Sequence, residues 1–457
     1  MGINENFRDL SIGLPGDVER RKQHGDLKGA IRLIDRRLQE DVPEPLKRCM
    51  IAQREMMLRL PMDYPFDRAA ALAVVRRELP GFTEQEFDEF VDANKIDWIY
   101  IDGQERFFKR FFPTLMKVYP DFAARVSKAR GEEEQKPSSA GLLTDTIREI
   151  KEKGGVGYRF RMRASVQIDE KAFEKGGTAL VHLPIPADAR QISDIVLHEM
   201  SDEPLLIAPA DAKQRTVAFS RRLDGNEPFF VEYSFTNTVH YIDAYHSEGV
   251  AGAYDFDVDE EPPHIIFTPY IRQLVHDLAG HTDDPMAKAR CFYDFITKKV
   301  KYSFMRAYFG LENIAENCAR NLRGDCGVQA LLFITLCRCA GIPARWQSCL
   351  CAQPPEPGAH DWAEFYVEPY GWLFCDPSFG GSAFRAGNEE RREFYFGNLD
   401  PFRMIANSGF QSDLVPEKKH WRADPYDNQT GEIEYADRGL RYDEYHRDQV
   451  ILSCEKI

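Results

Sequence analysis

One cysteine in this sequence stands where a thiol could react rather than pack. In the stretch RGDCGVQALLFITLCRCAGIPARW, residues 323–346, Cys326 follows an aspartate and precedes a glycine and a long apolar run. Asp325 is a suitable helix N-cap, and Gly341 is a typical helix stop. We therefore predict a buried helix over 326–340 that begins at the thiol.

The start of a helix favours an anion, because unpaired N–H groups and the positive end of the helix dipole lie there. We therefore expect a lowered pKa for the Cys326 thiol and a larger thiolate fraction. Gly324 and Gly327 add no side chain, so a substrate carbonyl could approach and its oxyanion could accept the Cys326 N–H. The alternative is a buried structural thiol, since free cysteine packs as a small hydrophobe.

A thiol nucleophile needs an imidazole partner and a group that orients the imidazole. The segment GAHDWAEFYVEPYGWLFCDPSFGG, residues 358–381, predicts two strands around a turn and contains His360, Trp362 and Asp376. A loop with an odd number of residues puts His360 and Asp376 on one face, and a five-residue loop places Asp376 opposite Trp362 and diagonal to His360. A four-residue loop would put the two side chains on opposite faces.

The chain that positions these residues begins with a helical pattern. Residues 1–130 carry apolar residues at helical spacing and a capping-box pattern from Thr83 to Glu86. Asp102-Gly103 is a hairpin turn signal within this region. We expect a mainly helical domain of unknown role.

The spacing of apolar residues changes after residue 130. A polar stretch in 131–155 indicates a linker, and the short alternating runs of 156–262 predict an antiparallel β-sandwich-like domain. Residues 263–457 place helices before strands, with further strands at GEIEYA and QVILSCE, and predict an α+β catalytic domain that includes these C-terminal strands. A chain of 457 residues has room for several such domains.

Composition narrows the classes of function. The chain is 43% hydrophobic and 29% charged with a formal net charge of -15, which disfavours nucleic acid or an anionic membrane as the partner. No stretch approaches the apolar length that spans a bilayer, and the first residues lack a signal-peptide core, so we expect a cytoplasmic protein. Ten cysteines in such a chain are expected to be reduced thiols.

Two patterns in the sequence suggest a metal site, but their residues do not have the spacing that such sites require. The acidic run DFDVDEEPP, residues 255–263, starts like an EF-hand loop, but Glu260 and Ile266 stand where that loop needs glycine and glutamate. We prefer a solvated connector between domains. The C-x-C pairs at 337–339 and 349–351 do not match the spacing of structural zinc ligands, so we expect no metal and no cofactor.

Three ordered blocks carry a family resemblance that covers roughly residues 265–410. They are ARNLRGDCGVQALLFITLCRCAGIPARW, HDWAEFYV and GWLFCDPSFGG, and they resemble the transglutaminase-like superfamily. The resemblance implies a papain-like α+β core preceded by a β-sandwich domain and an N-terminal helical domain. It also implies Cys326 as the nucleophile, His360 as the general base and acid, and Asp376 as the orienting carboxylate.

The reaction that the resemblance implies is acyl transfer or hydrolysis at amide bonds of a peptide or protein, with a primary amine as co-substrate if the enzyme is a transglutaminase. Animal transglutaminases have a tryptophan upstream of the cysteine that helps hold the oxyanion, but residues 265–325 contain none. Tyr302 could donate its hydroxyl instead and Trp362 could contact substrate, with packing as the alternative for both. These departures favour hydrolysis over amine transfer.

Two other hypotheses for the function remain beside acyl transfer or hydrolysis. Peptide N-glycanases share a similar triad, but their paired C-x-x-C zinc ligands are absent from this sequence. The other is a non-catalytic binding or scaffold protein with a vestigial transglutaminase-like domain. The sequence leaves the oligomeric state open.

Overall fold

The computed structural model of the protein describes Phe7, residues 9–131 and residues 138–457. It consists of a helical N-terminal region, two four-stranded β-sheets and a core in which helices pack on a five-stranded antiparallel sheet. The predicted α+β fold class is confirmed. None of the helices in these described ranges is both long enough and apolar enough to span a membrane.

The N-terminal region is built from helices whose starts are fixed by polar caps. Asp26, Asp67 and Thr83 each accept a backbone N–H of the following turn, and Thr83 forms the predicted capping box with Glu86. The elements before the hairpin are a 3-10 helix Asp9–Ile12, α1 Gly16–Gln23, α2 Leu27–Arg37, α3 Glu44–Asp63, α4 Arg68–Glu78 and α5 Glu84–Asp92.

The predicted hairpin at Asp102-Gly103 is confirmed. Strands β1 Trp98–Ile101 and β2 Gln104–Phe107 pair antiparallel around this turn, where both residues have positive φ. Helices α6 Phe111–Val118 and α7 Pro120–Arg130 follow. The Thr114 hydroxyl on α6 accepts the backbone N–H of Phe304 at 3.3 Å, so the helical region is attached to a loop of the C-terminal core.

The linker predicted over 131–155 is largely wrong. Residues 132–137 lie outside the described part of the chain, but Ser138–Lys153 form the helix α8. Leu143, Ile147 and Ile150 are buried against the β-sheets, which explains why this stretch is helical although its first residues are polar.

The β-rich region forms two antiparallel sheets that share one core, as the sandwich prediction requires. Alternate residues of the strands point inward, among them Phe160, Val181, Phe219 and Val231. The strands encoded within this region are β3 Gly155–Ile168, β4 Thr178–Pro184, β5 Ile192–Met200, β6 Leu206–Ile207, β7 Thr216–Arg222 and β8 Phe229–His240.

The assignment of the C-terminal strands to the catalytic domain is wrong. The two segments do form strands, β16 Glu432–Glu434 and β17 Tyr445–Lys456. However, β16 pairs with β4 and β17 pairs with β3, which gives the sheet orders β16-β4-β7-β6 and β17-β3-β8-β5. The chain therefore returns to the sandwich after it has built the core, because the exposed edges of β3 and β4 supply backbone hydrogen-bonding partners.

The core that holds the proposed site follows the sandwich in sequence. Its helices are α9 Pro269–Ala279, α10 Pro285–Lys299, α11 Ile314–Asn321, α12 Cys326–Cys339, α13 Pro377–Arg385 and α14 Glu389–Phe394, with a 3-10 helix Tyr308–Gly310. Its strands are β9 Lys301–Tyr302, β10 Arg323–Gly324, β11 Ala344–Cys351, β12 Gly358–Val367, β13 Gly371–Cys375, β14 Phe396–Gly397 and β15 Arg403–Asn407.

The main sheet has the order β14-β13-β12-β11-β15, and α12 packs against β11 and β12. Residues 327–337 of α12 are buried on every face, as the continuous apolar run predicts. The helix is therefore held rigidly with its first residue at the edge of the core.

Candidate active site

Cys326 is the first residue of α12, as predicted. Asp325 caps the helix by accepting the Val328 N–H at 3.3 Å. This cap fixes where the helix begins, because the aspartate takes one of the first-turn N–H groups that have no partner within the helix. The thiol is half-buried and borders a cleft of about 500 Å³.

His360 and Asp376 lie on one face of the β12-β13 hairpin, so the odd-loop register is confirmed. Ala363 pairs with Cys375 and Val367 with Gly371, and continuing this register sets Asp376 diagonal to His360. His360 Nε2 lies 2.7 Å from Asp376 Oδ2. His360 also borders the cleft that Cys326 borders.

Asp376 is held as a carboxylate. Burial opposes its ionisation, but the charges of His360 and Arg403 and the N–H of Phe379 outweigh burial and lower the pKa of Asp376 to about 2. Burial lowers the pKa of His360, although Asp376 acts in the opposite direction. At neutral pH the imidazole is therefore neutral, with its proton on Nε2 facing Asp376, and Nδ1 carries the lone pair.

Arg403 is a residue of this site that the sequence analysis missed. Its side chain is fully buried on β15, with Nη1 2.9 Å from Asp376 Oδ2 and Nη2 2.6 Å from Asp400 Oδ2. Its guanidinium also stacks 4.4 Å from the ring centroid of Phe379. Arg403 thus fixes the carboxylate that orients His360.

The lowered thiol pKa that we expected from the helix start is wrong. Burial raises the pKa of Cys326 well above its ordinary value, and the carboxylates of Asp361 and Asp325 raise it further. In the described part of the chain the thiol donates its hydrogen bond to Asp361 Oδ2, at 3.2 Å, and makes none to His360. The resting pair is a neutral thiol and a neutral imidazole, because desolvation outweighs the helix dipole.

Asp361 belongs to a group of buried carboxyl groups behind the sulfur. Burial raises the pKa of Asp361 well above its ordinary value, and the nearby Asp427 raises it further. Burial and Asp424 raise the pKa of Asp427 to about 7, and burial raises that of Asp325 to about 6. Internal donors bind these groups, since Ser348 donates to Asp427 and Gln429 donates to Asp361.

Replacing Asp361 with asparagine should speed the alkylation of Cys326. The amide still accepts the thiol hydrogen bond but carries no charge that opposes a thiolate, so the rate with iodoacetamide at pH 8 should rise by about threefold to tenfold. Mass mapping of Cys326 against time measures the rate. Asp255→Asn, in the exposed acidic connector, should leave it unchanged, and an equal or slower rate in Asp361→Asn would contradict the electrostatic account.

The two glycines beside Cys326 do not open the backbone to substrate, contrary to the prediction. A Cβ at Gly327 would lie 2.4 Å from the Tyr308 hydroxyl and 2.7 Å from Asp361 Oδ2, and one at Gly324 would lie 2.6 Å from Val328 Cγ1. Tyr308 accepts the Gly327 N–H at 3.1 Å and donates to Asp325 at 2.6 Å. The glycines therefore allow close packing under the first turn of α12.

Gly327→Ala should destabilise the fold by about 1–3 kcal/mol, because the added methyl group must displace Tyr308 or Asp361 from a packed position. Urea unfolding measures the change in free energy. Gly81→Ala is the matched control, since a Cβ at Gly81 meets no atom within 4 Å. Equal stabilities for the two variants would show that the space beside Gly327 is not filled.

Tyr302 and Trp362 have different surroundings. Tyr302 borders the cleft beside Cys326, so it stays a candidate oxyanion donor. Trp362 is fully buried and donates from Nε1 to Gln347 Oε1 at 2.9 Å, so the substrate role proposed for it is wrong and it is part of the core. Arg345 forms a structural ion pair, with Nε 2.7 Å from Glu364 Oε2.

The cleft has contributions from several parts of the chain. Its basic and aromatic lining includes Arg110, Lys117, Tyr302, Phe304, Arg306, Tyr308, Phe379 and Arg385, and its acidic lining comprises Asp325, Asp361, Asp424 and Asp427. Among the described residues, no three or more His, Cys, Asp or Glu side chains are grouped as metal ligands. The ten cysteines are free thiols.

A family model matches part of this core. Residues 272–377 match the model of the transglutaminase-like superfamily. A candidate cysteine protease from Cytophaga hutchinsonii is 15% identical, with 65% of this chain and 91% of that chain covered and a TM-score of 0.41. The periplasmic domain of TgpA from Pseudomonas aeruginosa is also 15% identical, with 54% of this chain and 95% of that chain covered and a TM-score of 0.28. No curated protein sequence matches the chain.

Proposed function

Residues 272–377 belong to the transglutaminase-like superfamily, and we propose that this core transfers an acyl group from an amide bond of a peptide or protein to water through a thioester on Cys326. The observation that supports the proposal most strongly is the 2.7 Å contact between His360 Nε2 and Asp376 Oδ2 beside the cleft that Cys326 borders. An imidazole oriented by a buried carboxylate next to a thiol is the arrangement that nucleophilic catalysis requires.

The protonation states define the first step. Since the resting thiol and imidazole are both neutral, His360 Nδ1 accepts the thiol proton as Sγ forms its bond to the carbonyl carbon. Asp376 then faces an imidazolium, whose charge it stabilises through the hydrogen bond at Nε2. His360 returns the proton to the leaving amine, and the C–N bond breaks to give the thioester and a free amine.

The oxyanion needs donors at the start of α12. The Cys326 N–H belongs to the first turn and has no helical partner, so it is available, whereas Tyr308 holds the Gly327 N–H. We assign the second donor to the Tyr302 hydroxyl, which borders the cleft beside Cys326. His360 then accepts a proton from water as the water oxygen attacks the thioester carbonyl. The C–S bond breaks, the acid product leaves, and His360 returns the proton to the Cys326 sulfur.

Incubation of the purified protein with a peptide library, with and without a primary amine such as methylamine, tests the reaction. Mass spectrometry distinguishes cleavage, a deamidated product and an amine adduct, and we expect cleavage or deamidation to exceed the adduct. Cys326→Ala is the control and should form no product. Product formation at the same rate in both proteins would overturn the proposal.

One observation favours a second function, that of a binding protein with an idle triad. The thiol is hydrogen-bonded to Asp361 and its pKa is raised by burial, which is the environment of an inert cysteine. Iodoacetamide labelling separates the two functions. Equal, slow labelling of Cys326 in the native protein and in His360→Ala would favour the binding protein, and faster labelling in the native protein favours the enzyme.

A further inference from the structure

The N-terminal helical region reaches the cleft that contains Cys326. Arg110 immediately precedes α6 and Lys117 lies in its last turn, and both side chains line the cleft. Two hydrogen bonds hold the loop 303–307 of the core to this region, from Phe304 N to Thr114 Oγ1 at 3.3 Å and from Ala307 N to Asp63 Oδ2 at 3.1 Å. One wall of the cleft is therefore made by a part of the chain outside the transglutaminase-like core.

Aromatic rings of the core order both cations on this wall. The Arg110 guanidinium carbon lies 3.5 Å from the ring centroid of Phe304, and Lys117 Nζ lies 4.2 Å from that of Tyr302. Such cation–π contacts restrict long side chains without neutralising them. Arg385, at the end of α13, lines the same cleft and is exposed.

We call these three side chains the cationic rim (Arg110, Lys117 and Arg385). Lys117 lies within electrostatic range of both arginines and of the thiol. Burial lowers the pKa of Lys117, a Cys326 thiolate would raise it, and the Arg110 and Arg385 guanidinium groups lower it further. Three like charges this close are unfavourable unless an anion joins them.

No protein anion pairs directly with the rim in the ranges that the structure describes, although the Asp325 carboxylate attracts Lys117 and Arg110 from a greater distance. None of the rim side chains forms an ion pair or a side-chain hydrogen bond there, whereas the neighbouring Lys109 pairs with Asp63 at 2.9 Å. The acidic side chains of the cleft do not compete, because internal donors already bind them, as Tyr308 binds Asp325 and Ser348 binds Asp427. The three rim side chains are therefore left free to meet an anionic ligand.

We propose that the cationic rim binds a carboxylate of the acyl donor, so that the substrate is a peptide with an acidic group close to the amide that Cys326 attacks. This inference rests on the proposed function, and it gives the N-terminal helical region a part in substrate binding. The carboxylate can be the C-terminal group of a peptide or the side chain of an aspartate or glutamate, since both present the same two oxygens.

A pair of alkylating reagents tests the rim without any substrate. Iodoacetate carries a carboxylate and iodoacetamide does not, but both form the same bond to the Cys326 sulfur with loss of iodide. The test quantity is the rate with iodoacetate divided by the rate with iodoacetamide at Cys326, followed by mass mapping at pH 7.5. A change in the thiol pKa affects both rates equally and cancels in this ratio. We expect this ratio to fall by about threefold to tenfold in Lys117→Gln/Arg385→Gln, because the anionic reagent alone loses its attraction to the rim.

Lys128→Gln is the matched control, since Lys128 is an exposed cation of the same helical region that does not line the cleft. Its ratio should equal that of the native protein, and added salt should lower the native ratio towards that of the double variant. A ratio that is unchanged in the double variant, or that falls equally in Lys128→Gln, overturns the rim as an anion site.

Paired peptides then identify the source of the carboxylate. For peptides that the enzyme cleaves, faster cleavage of a free C-terminal acid than of its amide indicates the terminal group, and faster cleavage with Asp or Glu than with Asn or Gln indicates a side chain. Cleavage without preference in either pair overturns the assigned substrate class. If no peptide is cleaved, the proposed function fails, while the reagent ratio still decides whether the rim binds an anion.

Discussion

His360→Gln should lower the rate of peptide cleavage by about 10²–10⁴-fold, the usual contribution of a positioned acid–base group. The thiol of Cys326 has a raised pKa, so it cannot supply a thiolate without a base to accept its proton. Glutamine fills much of the imidazole volume and can still donate to Asp376, but it has no basic nitrogen in the place of Nδ1 to accept the thiol proton. The loss should therefore appear in kcat and leave KM nearly unchanged.

Steady-state rates on a cleaved peptide measure this effect, with circular dichroism to show that the fold is retained. His198→Gln is the control, because His198 is an exposed histidine of β5 whose Nε2 lies 2.8 Å from the Ser234 hydroxyl, and its rate should equal that of the native protein. A His360→Gln rate within about threefold of native would exclude His360 as the base. The proton would then have to leave the thiol through Asp361, the group that holds it in the resting structure.

The positions of Cys326, His360 and Asp376 could be predicted because local rules govern them. An aspartate before an apolar run fixes a helix start, and the odd loop of the β12-β13 hairpin fixes which side chains share a face. Both rules act over a few residues, so they hold whatever the rest of the chain does. The catalytic roles of the three residues stay predictions until the variants are measured.

The electrostatics of the site could not be predicted in this way, because it depends on residues that are distant in sequence. Arg403, which contacts Asp376, lies on the edge strand β15. Asp427, which raises the pKa of Asp361, lies in the segment before β16. A helix start alone predicts a lowered thiol pKa, but burial beside Asp361 reverses the sign. No spacing rule within residues 323–346 contains that carboxylate.

The C-terminal strands illustrate the same limit at the level of topology. The segment QVILSCE predicts a strand, and it lies in β17, where half-buried and exposed residues alternate from Gln449 to Leu452. Alternation does not identify the sheet edge that a strand joins, since any exposed edge offers the same backbone groups. The pairing of β17 with β3 is therefore a property of the folded molecule, as is the position of α6 beside the cleft.

Arg403→Met should destabilise the protein by about 3–5 kcal/mol, because it leaves the buried carboxylates of Asp376 and Asp400 without their cation. It should also reduce catalysis, since Asp376 then ionises less readily and orients His360 less well. The pH dependence of stability gives a sharper test than the loss alone. A pKa of about 2 for Asp376, against an ordinary 3.8, means that this carboxylate stabilises the native fold above pH 4 and loses its contribution as the pH falls towards 2.

Without Arg403 the pKa of Asp376 rises towards its ordinary value, so the acid-dependent loss of stability should still begin near pH 4 but should end at a higher pH and be smaller in size. Urea unfolding at pH values from 2 to 7 measures both features. The matched control is Arg345→Met, which also removes an arginine from a fully buried carboxylate, Glu364. In this variant Glu364 keeps two partners, Arg190 with Nε at 2.9 Å and Gln347 with Nε2 at 3.1 Å. Arg345→Met should therefore lower the stability by about 1 kcal/mol or less. Equal losses in the two variants would show that Arg403 is no more than one of several interchangeable ion pairs, and the account of Asp376 as a carboxylate held by Arg403 would fail.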